Sequence, residues 1–416
     1  MSNGTVVIVE PVSTGSLLAP LVDKRGFDPV ALRACQTLSA EFSNSFRPKD
    51  FRQIFGSTKQ LRDWLSDNHV AVSAVIAGSE TGVREADRLA EVIGAAGNPA
   101  ATSSLRRDKD DMQAALKAQG LPHIPTYTFS SAVDGRALMQ TLSEGAYVLK
   151  PSNGGATEGV LFFDTIAELK AAVDAIDWNT INCIGEEIET YLVQPFLRGV
   201  EYAIDIVVSQ GTYAVSSIAE YDKISANGSK FVYRSLRLLD PKDPKYGPLI
   251  AYAEECLAAL EVAIGPAHIE IMDTTETGPV LIEVGARLHG GIAPQLISHC
   301  YEPDLLTLTL DSYLSPAHVD TATMVANGRI AFAVATRNGV FTGLSERDLD
   351  GIRDLQSYRG LKVLVEQGAA FTPTVDLLTC PAIAWFSHPD PQKIEADDAV
   401  FRDIMAKHFG DSPASA

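Results

Sequence analysis

The sequence predicts an α/β protein with α+β elements, on three observations. β-branched apolar runs alternate with helix-patterned stretches, a glycine-rich loop separates two strands, and two later strands close around a short polar turn. At 416 residues, against roughly 100–200 per domain, the chain has room for two or three domains. Its 46% apolar and 21% charged residues fit a chain folded nearly throughout.

The runs TVVIV (5–9) and AVSAVIAG (71–78) read as buried strands, with helical patterning from Glu80 to Ile93. That is an α/β opening. The loop from Pro11 to Gly15 lacks G-x-G-x-x-G and reads as a plain strand-to-helix turn. From Asp108, DKDDMQAALKAQG shows a capping Asp, an acidic residue three positions later and a terminal Gly, which marks both ends of a helix. YVLK (147–150), the loop PSNGGATEG (151–159) and VLFF (160–163) make a hairpin-like flap, with a helix expected across 165–176. YLVQPFL, EYAIDIVVS and YAVSSIAEY then alternate as strands. After about Pro316 the chain is strand-rich again, with RIAFAVAT and AIAWF, and ends in a helix near 397–408. This tail is expected to cover the site or to form a homodimer surface.

Charge and cysteine usage narrow the function classes. The 53 acidic residues against 34 basic ones give a net charge of -19, which repels nucleic acid and anionic membrane. An anionic nucleotide then needs local positive charge. The five scattered cysteines, without a C-x-x-C pair, predict neither a disulfide framework nor a zinc site, and a reduced cytoplasmic setting is expected. The start MSNGTVVIVE has no signal-peptide pattern, and no apolar run reaches membrane-spanning length.

The hairpin at 267–285 is the most informative feature. Glu270 and Glu283 are equidistant from a turn centred between Glu276 and Thr277, so they are expected to be directly opposed if no bulge intervenes. Opposed Cβ atoms lie about 4.5–5.5 Å apart, and like charges there destabilise a sheet. Magnesium would relieve them, because it accepts one or two carboxylates and fills its other positions with water and phosphate oxygens. The bland alternative is a solvated face, but His268 and Met272 flank Glu270 on the same side. Arg287 follows, able to hold a planar anion bidentately, then His289, Gly290 and Gly291, where glycine permits close backbone approach. A packed loop histidine and a tight turn are the bland readings of these three. In the flap, Gly154 and Gly155 can turn N–H groups toward anionic oxygens, and Lys150 before them supplies a point charge.

Together these parts resemble the ATP-grasp superfamily, in the order Lys109 at a helix start, Lys150 in VLKPSNGG, Gly199-x-Glu201, then Glu270, Glu283 and Arg287. The resemblance covers roughly residues 1–310 and implies a Rossmann-like pre-domain (1–105), a glycine-loop flap subdomain (106–195), a catalytic subdomain (196–316) and a C-terminal β-rich lid or dimerisation subdomain (317–416). It implies that Lys109, Lys150, Gly154 and Gly155 contact the phosphates of ATP, that Gln194, Phe196 and Leu197 contact adenine, and that Glu201 holds the ribose. Glu270 and Glu283 become magnesium ligands, with manganese as a substitute. The sequence departs from the family pattern at Gln194-Pro195, where an acidic pair is common, and at Gly285-Ala286, where many members place a third, asparagine ligand.

EVGARLHGG and GGATEGV look most like the L-amino acid ligase branch, the bacilysin-type dipeptide synthetases. That branch implies a ligase joining two amino acids through an acyl phosphate. Arg287 and Gly290 would steady the acyl phosphate and tetrahedral intermediate, with Arg287, His289 and Gly291 against the substrate. Two alternatives stand beside it: a ligase of the same fold acting on a D-amino acid, a peptide or bicarbonate, and a non-catalytic ATP-binding regulatory protein.

Overall fold

The strand Thr5–Val9 is buried along its whole length and lies between parallel neighbours in a four-stranded sheet ordered Gln53–Phe55, Asp28–Leu32, Thr5–Val9, Val72–Ala77. Parallel pairing demands crossovers, which the helices Leu18–Lys24 and Thr58–Asp67 help provide, while Val83–Ile93 follows the last strand and packs on the sheet; burial of the strands explains the near-continuous apolar runs. The computed structural model describes residues 2–35, 37–154, 158–182, 184–315 and 319–410, the side chains of residues 40 and 41 excepted.

A second, antiparallel sheet has the order Tyr127–Phe129, Tyr191–Pro195, Tyr147–Pro151, Leu161–Phe163. Its hairpin register pairs Tyr147 with Phe163 and Leu149 with Leu161, as the flap pattern predicted. The helix Ile166–Asp174 starts at a capping box formed by Thr165 and Glu168, and it buries Leu169 and Val173 against Phe129, Leu149 and Val193.

The third sheet has eight strands, all antiparallel: Gly278–Gly285, Gly265–Thr274, Gly199–Ser209, Thr212–Ala226, Ser229–Leu239, Asn327–Phe332, Ala382–His388 and Tyr358–Val363. One face packs on the helices Gly247–Ala259 and Lys109–Ala118 through Leu257, Cys256, Met112 and Leu116. The opposite face belongs to a core shared with Val6, Ile8 and Ile76 of the parallel sheet.

Several elements, among them Asp28–Leu32, Gln53–Phe55 and Gly247–Ala259, were not read from the sequence, and other details differ from it. Asp108 is the N-cap of Lys109–Ala118, but its side chain makes no capping bond; it pairs with Arg84 instead, so no capping box forms. A charge-assisted bond to a guanidinium outcompeted a neutral N–H. The strand Ser229–Leu239 was not foreseen, and the last helix runs longer, from Pro391 to Phe409, capped by Asp390.

Arg106 is fully buried and links the parallel sheet's layer to the central one. Its guanidinium lies 2.9 Å from Asp87 and donates to the Pro99 and Leu260 carbonyls at 2.6 and 3.1 Å. Arg106→Met should lower stability by about 3–5 kcal/mol, because Asp87 is then left charged and uncompensated. Urea denaturation of the variant checks this, and an unchanged midpoint would contradict it.

Candidate active site

The glutamate hairpin is built differently from the arithmetic that predicted it. From Thr274↔Gly278 to Ile271↔Leu281 the ladder is centred on Glu276, half a residue earlier than expected; Ile282 is then skipped as a bulge, and Glu270 faces Glu283. Without the bulge the turn alone would have misaligned them. Bulges re-aim side chains beside functional sites. Here one brings two carboxylates together at the wall of a cavity of about 810 Å³.

Two opposed carboxylates need compensation, and the protein supplies part of it. Lys109 Nζ lies 2.8 Å from a Glu283 oxygen, and His268 Nε2 lies 3.5 Å from a Glu270 oxygen. Burial works against ionising Glu270, but the hydrogen bond and charge of His268, with Lys223 and His289 beyond, hold its pKa at about 2. It is a carboxylate at neutral pH. Burial likewise opposes the charge on His268, yet hydrogen bonds to Asp205 and Glu270 raise it to about 9.

Asp205 anchors this end of the cavity. One oxygen accepts from His268 Nδ1 at 2.9 Å, the other from His289 Nδ1 at 3.0 Å and from the Ser217 hydroxyl at 2.6 Å. Burial opposes its ionisation, but the two imidazoles hold its carboxyl well below the ordinary range. His289, by contrast, is pushed down by burial and by the charge of His268. The two rings lie against each other, centroids 3.9 Å apart and planes tilted by 37°. The ligating atoms of Asp205, His268 and His289 lie within 4.8 Å of one another, but both Nδ1 atoms are spent on the carboxylate. The trio is therefore an orienting network that fixes two ring planes.

The expected nucleotide residues gather in the same cavity. Lys109, Lys150, Gly154, Gln194, Phe196, Leu197 and Glu201 all line it; Gly155 lies outside the described residues. Lys150 is buried, and burial together with the charge of Lys109 lowers its pKa to about 8. Gly154 has φ +129, a conformation side chains rarely adopt, so the flap needs glycine there. Gln194 donates to the Thr126 hydroxyl at 2.8 Å, and the Phe196 N–H is bonded to the Ala146 carbonyl at 2.9 Å. Phe196 thus offers its ring, set edge-on to Phe162. Glu201 receives Lys223 Nζ at 2.7 Å on each oxygen, while burial raises its pKa.

Arg287 is partly committed. Its Nε donates to Glu80 at 2.8 Å and one terminal nitrogen donates to the Leu288 carbonyl at 2.9 Å. Glu80 also receives Arg107 at 2.7 Å, Arg107 reaches Glu186 at 2.8 Å, and Asn153 of the flap loop donates to Glu186 at 3.1 Å. A chain of alternating charge thus runs from Arg287 to the flap. His289, Gly290 and Gly291 also line the cavity, with Gly291 at φ +65 and open space where a Gly290 side chain would stand.

Sequence reasoning missed Asp205, Lys223, Glu80 and Arg107. Asp205 had a faint signal, since it stands four residues after Glu201 on one strand and therefore shares its face. The others meet the site only through long-range pairing.

Residues 144–295 match the model of the ATP-grasp domain. Dapdiamide A synthase from Enterobacter agglomerans is 27% identical over 329 residues, spanning 75% of this chain and 74% of that protein. An L-amino acid ligase from Bacillus licheniformis superposes with TM-score 0.75 at 18% identity over 97% of each chain. N5-carboxyaminoimidazole synthetase from Staphylococcus aureus, complexed with ADP, superposes with TM-score 0.66 at 11% identity over 97% of this chain and 98% of that one. The chain has the ATP-grasp fold and carries an ATP-grasp domain over residues 144–295.

Lys150 gives the site a pH signature. Its folded pKa is depressed to about 8, so the free protein loses this cation as pH rises through that value; if Lys150 holds a phosphate of ATP, binding must then restore the proton. ATP affinity should be flat below about 8 and weaken up to tenfold per unit above it. Titration calorimetry in buffers of different ionisation heat should show net proton uptake on the alkaline side. Binding without proton uptake there would contradict the assignment.

Proposed function

We propose that this ATP-dependent carbon–nitrogen ligase joins two L-amino acids into a dipeptide through an acyl phosphate. The observation that carries the reading is the bulge-aligned Glu270–Glu283 pair, with Lys109, Lys150 and Arg287 lining one cavity with it.

Glu270 and Glu283 suit a hard divalent cation. Both offer oxygen, Glu270 is ionised well below neutral pH, and their neighbour Lys109 can transfer its ion pair to a phosphate. Magnesium bound there supplies charge neutralisation for the terminal phosphates of ATP, and manganese is a substitute of the same ligand preference. Lys109 and Lys150 hold those phosphates, with Gly154 in the flap beside them. Gln194, Phe196 and Leu197 border the adenine, and Glu201, held by Lys223, faces the ribose hydroxyls.

A substrate carboxylate oxygen attacks the γ-phosphorus, and ADP departs with the electrons of the broken bond. The amine of a second amino acid then attacks the acyl carbon. The carbon–oxygen bond to phosphate breaks, inorganic phosphate leaves, and the nitrogen gives up its proton. The protein's part is positioning and charge, as phosphoryl transfer requires, with no covalent nucleophile. Arg287 steadies the acyl phosphate with its remaining donors, and the Gly290 N–H supports the tetrahedral intermediate. His289 and Gly291 contact the substrate, with Asp205 fixing the histidine's plane. A closed flap excludes the water that would hydrolyse the acyl phosphate.

Incubation with ATP, magnesium and pooled L-amino acids should release phosphate only when amino acids are present, with dipeptides visible by mass spectrometry. Phosphate release indifferent to amino acids, with no dipeptide, would sink the reading. Glu283→Gln should lower turnover on the order of 10²-fold or more while leaving thermal stability close to that of the parent. A fully active variant would remove Glu283 from the site.

A further inference from the structure

The eight-stranded sheet carries two chemically distinct regions on one face. Toward one edge, Glu283, Glu270, Ala203, Ala219 and Leu238 stand directly opposite one another across five strands. Two residues along from Ala219 and Leu238, and so on the same face, a second row runs Tyr221, Leu236, Ile330, Trp385 and Gly360 to the other edge. Tyr221, Leu236, Ile330 and Trp385 all line the cavity that Glu270 lines. Phe332 and Ile383, opposed in the next row, line it too, and Leu17, Leu364 and Leu377 add further apolar walls.

Trp385 is seated by a dedicated arrangement. A Cβ on Gly360 would stand 2.0 Å from its ring, so the indole lies directly against the bare backbone of the neighbouring strand. The ladder between these strands skips Arg359 beside this pair. Acidic charge is segregated, and the charged residue that 330–385 adds to the lining is Lys362, opposite Ile383. Among the described residues, the carboxylates lining the cavity are Glu80, Glu158, Glu201, Glu270 and Glu283, and none comes from residues 330–385.

We propose that this apolar chamber holds the side chain of an L-amino-acid substrate and selects a large aliphatic or aromatic one, a specificity that rests on the ligase reading above. The chamber is continuous with the glutamate pair and Arg287, so a carboxylate presented there places its side chain against Trp385, Ile330 and Ile383. The flap half is filled by nucleotide contacts, which leaves this half for the amino acid. It offers a basic side chain no carboxylate and sets Lys362 against it, and its Trp385, Ile330, Phe332 and Ile383 walls offer a polar side chain no partner. Each methylene discriminated by an apolar pocket is worth roughly 10-fold or more, so leucine, larger by about three carbons, should exceed alanine on the order of 10³-fold.

The experiment is calorimetric binding of leucine, phenylalanine, alanine, glutamate and lysine to the full chain with ADP and magnesium present, beside turnover with the same amino acids. Leucine or phenylalanine should bind on the order of 10³-fold more tightly than alanine, with lysine weaker still and glutamate well below leucine. Trp385→Ala should weaken leucine at least tenfold and leave ADP affinity unchanged, which also reports that the variant is folded. Gly360→Ala, which drives the indole off its seat, should do the same by a route that spares the ring itself. Alanine or glutamate binding as tightly as leucine overturns the proposal, as does leucine affinity indifferent to both variants. Failure of every amino acid to bind overturns it too. Leucine bound through Trp385 without amino-acid-dependent turnover sinks the ligase reading alone.

Discussion

Glu270 and Glu283 are held face to face in neighbouring strands, and much of the cavity is arranged around the cost of keeping two negative charges there. A cross-strand like-charge pair weakens a hairpin unless positive charge reaches both members. Lys109 reaches one from a helix start and His268 reaches the other from the same strand. His268 can carry charge in a buried place only because Asp205 lies behind it. The sheet thus stores an electrostatic arrangement ready for cations and phosphates, with each buried charge answered by another.

The same logic extends beyond the hairpin. Glu80, Arg107 and Glu186 alternate in sign between Arg287 and Asn153, so that groups from the parallel sheet's loop, the segment before Lys109 and the flap meet in one network. Burial opposes the charge on Glu80, yet the two arginines lower its pKa. Such a network specifies one geometry, because removing any member strands a buried neighbour.

What the sequence made legible follows from range. Period-two alternation, β-branched runs and the glycine loop are local signals, and the strands, the flap and the helix after Thr165 were read from them. The Glu270–Glu283 pairing was reached by symmetry about a turn, with a half-residue error that the Ile282 bulge cancels; a bulge has no reliable local signature. Lys223 meets Glu201 only because two long strands share a register across 22 positions. Arg107 and Glu80 are ordinary surface types by composition and become buried only when three layers close. Asp108 looked like a cap and found a guanidinium, since short-range preference yields to a stronger partner.

The way the three sheets are joined determines where the molecule can bend. Asn327–Phe332 is laddered directly onto Ser229–Leu239 and carries Ala382–His388 and Tyr358–Val363 beyond it, so the glutamate hairpin and the Trp385 region form one hydrogen-bonded plate. Such a plate does not hinge without breaking its ladder. The flap sheet shares no ladder with it among the described residues, and passes into it where Tyr191–Pro195 gives way to Gly199–Ser209. Large-amplitude motion is thereby channelled to the flap sheet, while the distance from the carboxylate pair to the tryptophan wall is held by the plate like a fixed ruler.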